Sequence, residues 1–588
     1  MSNKETIRPS QLIYQSGPGA IVELLNQSVM IKAADQWNTW NAPKENDVRI
    51  TSILGVDHVR ILNENPDRQK VKAIEFPKWK ICPSCHSMTT YDNQQCYFCK
   101  KKDELHDLYA SRFVLVCEKG HISDFPYNEW VHRNKACTEI SKEPQLKLYT
   151  RGNSGSLSDL HVFCVHCKHS ESLGTIMKPE EQKHQLFNCK GERPWISPNA
   201  NVKCSCKMRT TLRGASNVYS PSVTSFLQVP LTSSSSEHDI LYIVQKDVDR
   251  FRKLYLGMGE EGLKMACELK SISTDFIPTI KRFLEGEIAL EESTTYESIR
   301  KQEWNTLIQE HIDEKNFTSK QVELHPDLAL YFDAIYRVDS VPEVLVLKEF
   351  TRLDYIDRFT DDDHLGVQPV VTKKDENWLP AVRNYGEGIF IKFNLAKLTD
   401  WEKSEQVTRA VYKAYSDYRE EFDNAPMQFE PRQILIHTFS HALLRELAAH
   451  CGYTTTSLKE RIYAMDDMYG VLIYTASGDS EGSLGGLTRL ADNEKLYPII
   501  LRALENMGYC SSDPICSDGD FEYHTTANGA ACHSCTFVAE TSCEWGNMLL
   551  DRRTLININP NEVDGYFDRL LDVKAEVEAE VVGNQTSR

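Results

Sequence analysis

Paired cysteines at C-x-x-C spacing are the feature that most constrains how this chain can fold. Eleven of its eighteen cysteines lie between Cys82 and Cys206. Cys82 and Cys85 are followed by Cys96 and Cys99, which is the spacing of a zinc ribbon. Four thiolates complete a tetrahedron around zinc and leave no position for a reactive water. The pattern therefore predicts a structural ion, and the tight spacing disfavours the alternative of four unligated core cysteines.

Length and composition predict a multidomain globular protein. The 588 residues exceed what one hydrophobic core organises, and 41% hydrophobic with 26% charged residues is ordinary for folded chains. No apolar stretch resembles a secretory signal or is long enough to cross a bilayer, so we expect a cytoplasmic protein with reduced cysteines. A net charge of -18 argues against a surface that coats nucleic acid throughout.

Two further groups of zinc ligands are expected after the ribbon. The second combines two thiols with two imidazoles, namely Cys117, His121, His132 and Cys137. The third consists of Cys164, Cys167, Cys189 and one of Cys204 or Cys206. The irregular spacing of the second group leaves open that its histidines are ordinary interior side chains.

A fourth group of cysteines lies near the carboxyl end. Five thiols compete there for four positions, and the favoured set is Cys516, Cys532, Cys535 and Cys543. Cys510 is left as a substitute or a bystander. Cys267 lies in a helical pattern and is expected to be a core residue.

His437 and His441 form the sharpest catalytic candidate, because a four-residue spacing puts two imidazoles on one face of a helix. No glutamate between them supplies the general base of an H-E-x-x-H site, so packing or a partner contact is favoured over metal. The strand-loop-helix after them, with Gly482, Gly485 and Gly486, predicts a tightly packed loop, with a phosphate contact as the alternative.

Residues 183–213 give the best electrostatic footprint for nucleic acid in this acidic chain. They hold seven Lys or Arg residues against Glu192, a net charge of +6. We expect nucleic-acid contacts there, carried by Lys203, Lys207, Arg209 and Arg213. Trp195 and Tyr219 are possible stacking surfaces, although aromatics near zinc knuckles more often fill small cores. For the basic stretch itself, contact with an acidic partner surface and a solvated face are the alternatives.

Seven segments, in one order along nearly the whole chain, resemble the DrmB family of DISARM antiphage systems. They are QLIYQSGPGAIVEL, CEKGHISDFPYNEWVH, RGASNVYSP, LPAVRNYGEGIFI, HTFSHALLREL, EGSLGGL and GAACHSCTFVAETSCEW. The last part also resembles the zinc-binding carboxyl-terminal domain of Mrf-type helicases. The resemblance implies a bacterial defence protein that pairs with the helicase subunit DrmA to handle invading DNA. The chain has no GxxxxGK[ST] phosphate loop, so a motor must come from that partner.

These observations predict an α+β, multidomain fold with zinc-ribbon or zinc-knuckle modules and a carboxyl-terminal zinc-capped α/β domain. The expected regions are a small domain (1–75), a zinc region (76–215), a helical part with a small α/β layer (216–400), the zinc-binding α/β domain (401–575) and a tail (576–588). The favoured function is a non-enzymatic, DNA-engaging scaffold with Zn2+ and a helicase partner. The alternative is a metal-dependent hydrolase or nuclease using His437 and His441 with Asp479 or Glu481.

Overall fold

The structure is a computed structural model that describes residues 6–574 with gaps. The residues outside the description are 1–5, 26, 40, 63–69, 101–104, 135–136, 138–145, 153, 198–199, 231–236, 271, 289–294, 315, 354–365, 374–376, 422–428, 476–485, 519–527, 559–562, 573 and 575–588. Helices and strands are mixed throughout, which confirms the α+β prediction. The predicted domain boundaries stay a prediction, and the expected tail lies outside the described residues.

A large, mainly antiparallel sheet forms the centre of the molecule. Its main path runs through His311–Glu314, Phe317–Val322, Phe332–Thr351, Trp378–Phe393, Gly470–Thr475 and Leu458–Tyr463. Ser220–Leu227, Gln368–Pro369, His58–Ile61 and Lys44–Glu45 pair beside this path. Residues 341–350 and 386–393, two runs rich in β-branched and aromatic side chains, lie within the two longest of these strands. Both long strands are buried almost continuously, because helices and loops cover the two faces of the sheet.

Three smaller sheets carry the amino-terminal third of the chain. A six-stranded sheet contains Ser170–Ser172, Leu160–Cys164, Leu146–Thr150, Ser87–Thr89, Lys80–Ile81 and Tyr109–Ala110. One three-stranded sheet contains Ile122–Asp124, Phe113–Val116 and Arg209–Leu212. The other contains Ile21–Glu23, Ser28–Ile31 and Ala73–Glu75. The cysteine pairs of the zinc region sit in turns that join these strands.

Helices dominate the middle and the carboxyl-terminal third. The longer ones are Glu237–Lys246, Val248–Leu269, Ile277–Leu284, Tyr296–Leu307, Leu395–Glu402, Glu405–Glu421, Pro431–Cys451 and Asn493–Met507. Pro9–Tyr14, Val48–Leu54, Tyr97–Lys100, Tyr127–Val131, Pro179–Gln182 and Ile515–Asp518 are short. Cys267 is buried in a cluster of apolar helix side chains, as expected. None of the described helices is both long enough and apolar enough to span a bilayer.

The helix Pro431–Cys451 lies at the centre of the carboxyl-terminal core. Pro431 fits its first turn, Glu430 and Gln433 form a capping box, and Gly452 ends it with a left-handed φ of 72°. Most of its side chains are buried, polar ones included, and it packs on the sheet and on Asn493–Met507. A helix buried on all sides can hold His437 and His441 away from solvent.

One buried arginine joins three distant parts of the chain. The guanidinium of Arg352 donates hydrogen bonds to the carbonyls of Gly19 (2.7 Å), Gly120 (3.2 Å) and Val218 (2.5 Å). It also lies against the ring of Trp195. Burial lowers the pKa of Arg352 to about 9, so the side chain stays charged at neutral pH. The amino-terminal segment, the zinc region and the central sheet therefore meet at one cation.

Candidate metal centres

Five groups of four side chains have ligating atoms within 4.8 Å of one another in the described part of the chain. The Cys82 cluster holds Cys82, Cys85, Cys96 and Cys99. The Cys117 cluster holds Cys117, His121, Cys189 and Cys204, and the Cys164 cluster holds His132, Cys137, Cys164 and Cys167. The Cys510 cluster holds Cys510, Cys516, Cys532 and Cys535. The His437 cluster holds His437, His441, Glu460 and Cys543.

The Cys82 cluster unites the two knuckles that their spacing predicted to meet. Cys82 Sγ lies 3.7 Å from Cys99 Sγ, and Cys85 Sγ lies 3.5 Å from Cys96 Sγ. The backbone N–H of Cys85 points at Cys82 Sγ from 3.4 Å, the kind of contact that stabilises a thiolate. The geometry suits a closed tetrahedral zinc site.

The next two clusters correct the expected grouping. Cys117 and His121 meet Cys189 and Cys204, while His132 and Cys137 meet the knuckle of Cys164 and Cys167. Compared with the expected groups, the pair His132 and Cys137 has changed places with the pair Cys189 and Cys204. Chain proximity suggested the wrong partners, because the strand Arg209–Leu212 pairs with Phe113–Val116 and draws the preceding cysteines toward Cys117.

The fourth member of the Cys117 cluster is Cys204 and not Cys206. Cys189 Sγ lies 3.6 Å from Cys117 Sγ and 3.5 Å from His121 Nδ1. The Cys206 carbonyl instead accepts a hydrogen bond from the backbone N–H of Cys189. Gly191 follows with a φ of 69°, and a Cβ there would lie 1.7 Å from the Val202 carbonyl oxygen, so this turn requires glycine.

The Cys164 cluster contains a histidine nitrogen that has no partner. His132 Nδ1 lies 2.7 Å from the Asn128 carbonyl, which as an acceptor requires the ring hydrogen at Nδ1. His132 Nε2 is buried and has no hydrogen-bond partner among the residues that the structure describes. A bare lone pair next to three thiols is the arrangement of a metal ligand whose second ring nitrogen is held by the backbone.

The same turn builds three of these knuckles. At Cys82 and Cys164, the cysteine N–H donates to the carbonyl five residues on, and the cysteine carbonyl accepts from the fourth residue, His86 or Lys168. Those two residues have positive φ values of 59° and 60°. At Cys117 the turn is one residue shorter and uses Gly120 at φ 72°. Each knuckle therefore caps a pair of antiparallel strands.

The Cys510 cluster is a second correction. Cys510 Sγ lies 3.4 Å from Cys532 Sγ, and Cys516 Sγ lies 3.7 Å from Cys535 Sγ. Cys510, which the sequence left as a substitute or a bystander, completes the set of four, and Cys543 belongs to the His437 cluster. Five thiols near in sequence gave no means of choosing among them.

A buried arginine supports the Cys510 cluster. Arg552 has no exposed surface, donates to the Met507 carbonyl from 2.8 Å and pairs with Asp513 between two of the cysteines. Burial opposes the charge, but Asp513 and the nearby Cys516 thiol raise the pKa of Arg552. A fixed cation beside four thiolates offsets their excess negative charge once zinc is bound.

In the Cys117 and Cys510 clusters, neighbouring thiols have pKa values shifted in opposite directions. The Cys189 thiol lowers the pKa of Cys117 to about 4, while Cys117 raises the pKa of Cys189. The Cys516 thiol likewise lowers the pKa of Cys535 to about 5, while Cys535 raises that of Cys516. The Cys117 and Cys510 clusters thus each favour one thiolate, and binding a metal replaces the remaining protons.

The His437 cluster joins helix Pro431–Cys451 to strand Leu458–Tyr463. His437 Nε2 lies 3.2 Å from Cys543 Sγ and 3.1 Å from Glu460 Oε1. His441 Nε2 lies 3.4 Å from the same Glu460 oxygen, and its Nδ1 lies 2.9 Å from the Thr536 carbonyl. Burial alone would raise the pKa of Glu460, but His441 and His437 hold it well below its usual range.

Sequence reasoning missed Glu460, and strand alternation explains its position. In the buried strand Leu458–Tyr463, Glu460 faces the histidine helix, while Lys459 and Arg461 point to the other side. There Lys459 pairs with Glu343 and Arg461 with Glu303. The alternation of side chains along a strand could indicate that the Glu460 carboxylate lies on the opposite face from Lys459 and Arg461. It could not indicate which residues lie opposite that carboxylate. Asp479, Glu481, Gly482 and Gly485 lie outside the described residues.

Three of the four basic residues expected to contact DNA are exposed, and the fourth is used in packing. Lys203, Lys207 and Arg209 are exposed. Arg213 is half-buried, pairs with Glu23 and donates to the carbonyls of Ala110 (2.7 Å) and Ser111. These contacts commit Arg213 to holding strands together.

Neither of the two aromatic side chains considered for base stacking is fully exposed. Trp195 has no exposed area and packs edge-on against Phe350. Tyr219 packs on the same ring, and burial raises its pKa. Trp195 fills the core, and Tyr219 is partly buried against the same cluster, so the ring faces of both are used in packing.

Comparisons with known proteins match both ends of the chain. Residues 8–220 match the family described as Domain of unknown function (DUF8724), and residues 439–536 match the MrfA Zn-binding domain. A relative from Bacillus paralicheniformis, named DISARM protein DrmB, is 30% identical over 579 residues. That alignment covers 94% of this chain and 100% of the relative. The second match contains the whole Cys510 cluster but neither His437 nor Cys543.

Proposed function

Because the chain belongs to the DrmB family of DISARM antiphage defence proteins, we propose that it is a non-motor scaffold that pairs with a DrmA-like helicase in the cytoplasm and engages DNA. Four Zn2+ ions at the Cys82, Cys117, Cys164 and Cys510 clusters hold the scaffold together. The observation that carries the proposal is that each cluster offers four protein ligands of zinc-binding type and no vacant position for a reactive water.

The closed geometry also disfavours the hydrolase alternative. His437 and His441 have no exposed surface, so a substrate cannot reach them. A catalytic zinc site keeps one position open to water or substrate, which this burial denies. The absence of a phosphate loop in the sequence assigns ATP-driven movement to the partner.

The DNA contact is assigned to Lys203, Lys207 and Arg209, because they are exposed and lie in residues 183–213, which have a net charge of +6 in an acidic chain. Lys207 also donates to the Lys183 carbonyl (3.1 Å) and the Asn188 side chain (2.5 Å), so its replacement disturbs that turn as well. Lys203 and Arg209 are therefore the cleaner probes.

The test is the salt dependence of DNA binding by the assembled complex. Changing Lys203 and Arg209 to Gln should flatten the slope of log affinity against log salt by about two units, since each phosphate contact contributes about 0.9. The matched control changes Lys403, Arg409 and Lys495, exposed residues that each pair with a nearby carboxylate, and should leave the slope unchanged.

Complex formation measured on the same variants separates the alternatives. If the variant loses the helicase partner while this subunit alone still binds DNA, the basic residues contact an acidic surface of the partner instead. An unchanged slope in an intact complex would refute the DNA contact.

A further inference from the structure

The His437 cluster is chemically unlike the other four. It brings together two imidazoles, one carboxylate and one thiol from a helix, a strand and the segment after Cys535. His437 and His441 are fully buried, and Glu460 and Cys543 are 3% and 4% exposed. Ionisable groups so far from water require either pairing or a bound cation.

The hydrogen positions at His441 leave an electrostatic conflict. The Thr536 carbonyl only accepts, so the contact at 2.9 Å places the ring hydrogen on Nδ1. In a neutral ring, Nε2 is then an acceptor, and it faces Glu460 Oε1, another acceptor, at 3.4 Å. Two acceptors repel at that distance unless a cation or a second ring proton lies between them.

His437 adds to the crowding at the same point. Its Nε2 lies near both Cys543 Sγ and Glu460 Oε1, and one ring hydrogen cannot be directed well at two acceptors. The other oxygen of Glu460 accepts from the Ser440 hydroxyl, which orients Oε1 into the cluster. The backbone and hydroxyl contacts thus aim two nitrogens, one oxygen and one sulfur at a common centre, as supporting contacts do around metal ligands.

We propose that the His437 cluster binds a fifth Zn2+, a structural ion held by His437, His441, Glu460 and Cys543. Zinc accepts nitrogen, oxygen and thiolate ligands in tetrahedral sites. Two neutral imidazoles, one carboxylate and one thiolate give a site whose charge a dication cancels, which suits a buried position. The ion cross-links the central helix, the edge strand Leu458–Tyr463 and the carboxyl-terminal cysteine segment.

Counting metals in the purified full-length chain tests this inference independently of DNA or helicase binding. Elemental analysis should find one ion fewer per chain in Cys543→Ser and in Glu460→Gln than in wild type. Glu460→Gln keeps the side-chain shape while removing its charge. Cys267→Ser is the matched control, because Cys267 is buried outside all five groups, and its count should equal that of wild type.

The competing arrangement is a metal-free ion pair of protonated His441 with Glu460. It predicts the same count in Cys543→Ser as in wild type, and that result would overturn the proposal. If neither variant yields folded protein, native mass spectrometry of the wild type decides instead. Five ions per chain support the fifth site, and four or fewer overturn it.

Discussion

Replacing Arg352 by Met should destabilise the molecule more than most single substitutions. The change leaves the buried carbonyls of Gly19, Gly120 and Val218 without their donor. An unsatisfied buried polar group costs about 1–3 kcal/mol, and relief from burying a charge offsets part of the sum. Methionine still fills space beside Trp195, so the expected net loss is about 3–5 kcal/mol.

Thermal unfolding of purified protein measures this effect. A loss of that size corresponds to a fall in melting temperature of roughly 10 °C for a cooperative unit of about 200 residues. Arg337→Met is the control, because Arg337 is 39% exposed and pairs only locally with Asp339, and should cost about 0.5 kcal/mol or less. Equal melting temperatures for the two variants would refute the role given to Arg352.

Two other predictions follow from the ligand grouping and the buried ion pairs. Cys117→Ser with Cys189→Ser should remove one metal ion, and Cys117→Ser with Cys137→Ser should remove two; the opposite counts would restore the grouping expected from chain proximity. Burial raises the pKa of Glu303, but Arg461, Arg300 and the hydroxyl of Tyr463 together outweigh it and the net pKa is lowered. Its stabilisation is therefore complete above the unfolded pKa of about 4.3 and is lost as pH falls through the lower folded value. Glu303→Gln should accordingly show a weaker loss of stability than wild type when acid unfolding is followed from pH 7 to pH 3, and identical acid profiles would argue against the pair.

Local spacing predicted the parts of the site that are formed by local contacts. The Cys82 cluster was identifiable because both knuckles lie within eighteen residues and together supply all four ligands. The long strands Phe332–Thr351 and Trp378–Phe393 were partly identifiable from runs of β-branched and aromatic residues. In both cases the signal lies within a short stretch of chain.

Features formed by distant residues could not be predicted in this way. Cys189 replaces Cys137 beside Cys117 because two strands about ninety residues apart in sequence pair with each other. Cys543 meets His437 through packing between segments that are 106 residues apart in sequence. Arg352 carries no sequence signal of its role, because its partners are backbone carbonyls. For Trp195 the sequence left open a stacking surface or a core position, because proximity to basic residues does not determine which way a ring faces.

The central claim is that this chain is a scaffold subunit whose motor is supplied by a partner. The direct test is to purify it with the DrmA-like helicase encoded in the same defence system and to measure complex mass, ATPase activity and metal-dependent nuclease activity of each component. We predict a stable complex of the two proteins, with ATPase activity that requires the helicase and none in this chain alone. A chain that does not bind the helicase, or that cleaves DNA or hydrolyses ATP by itself, would contradict the account.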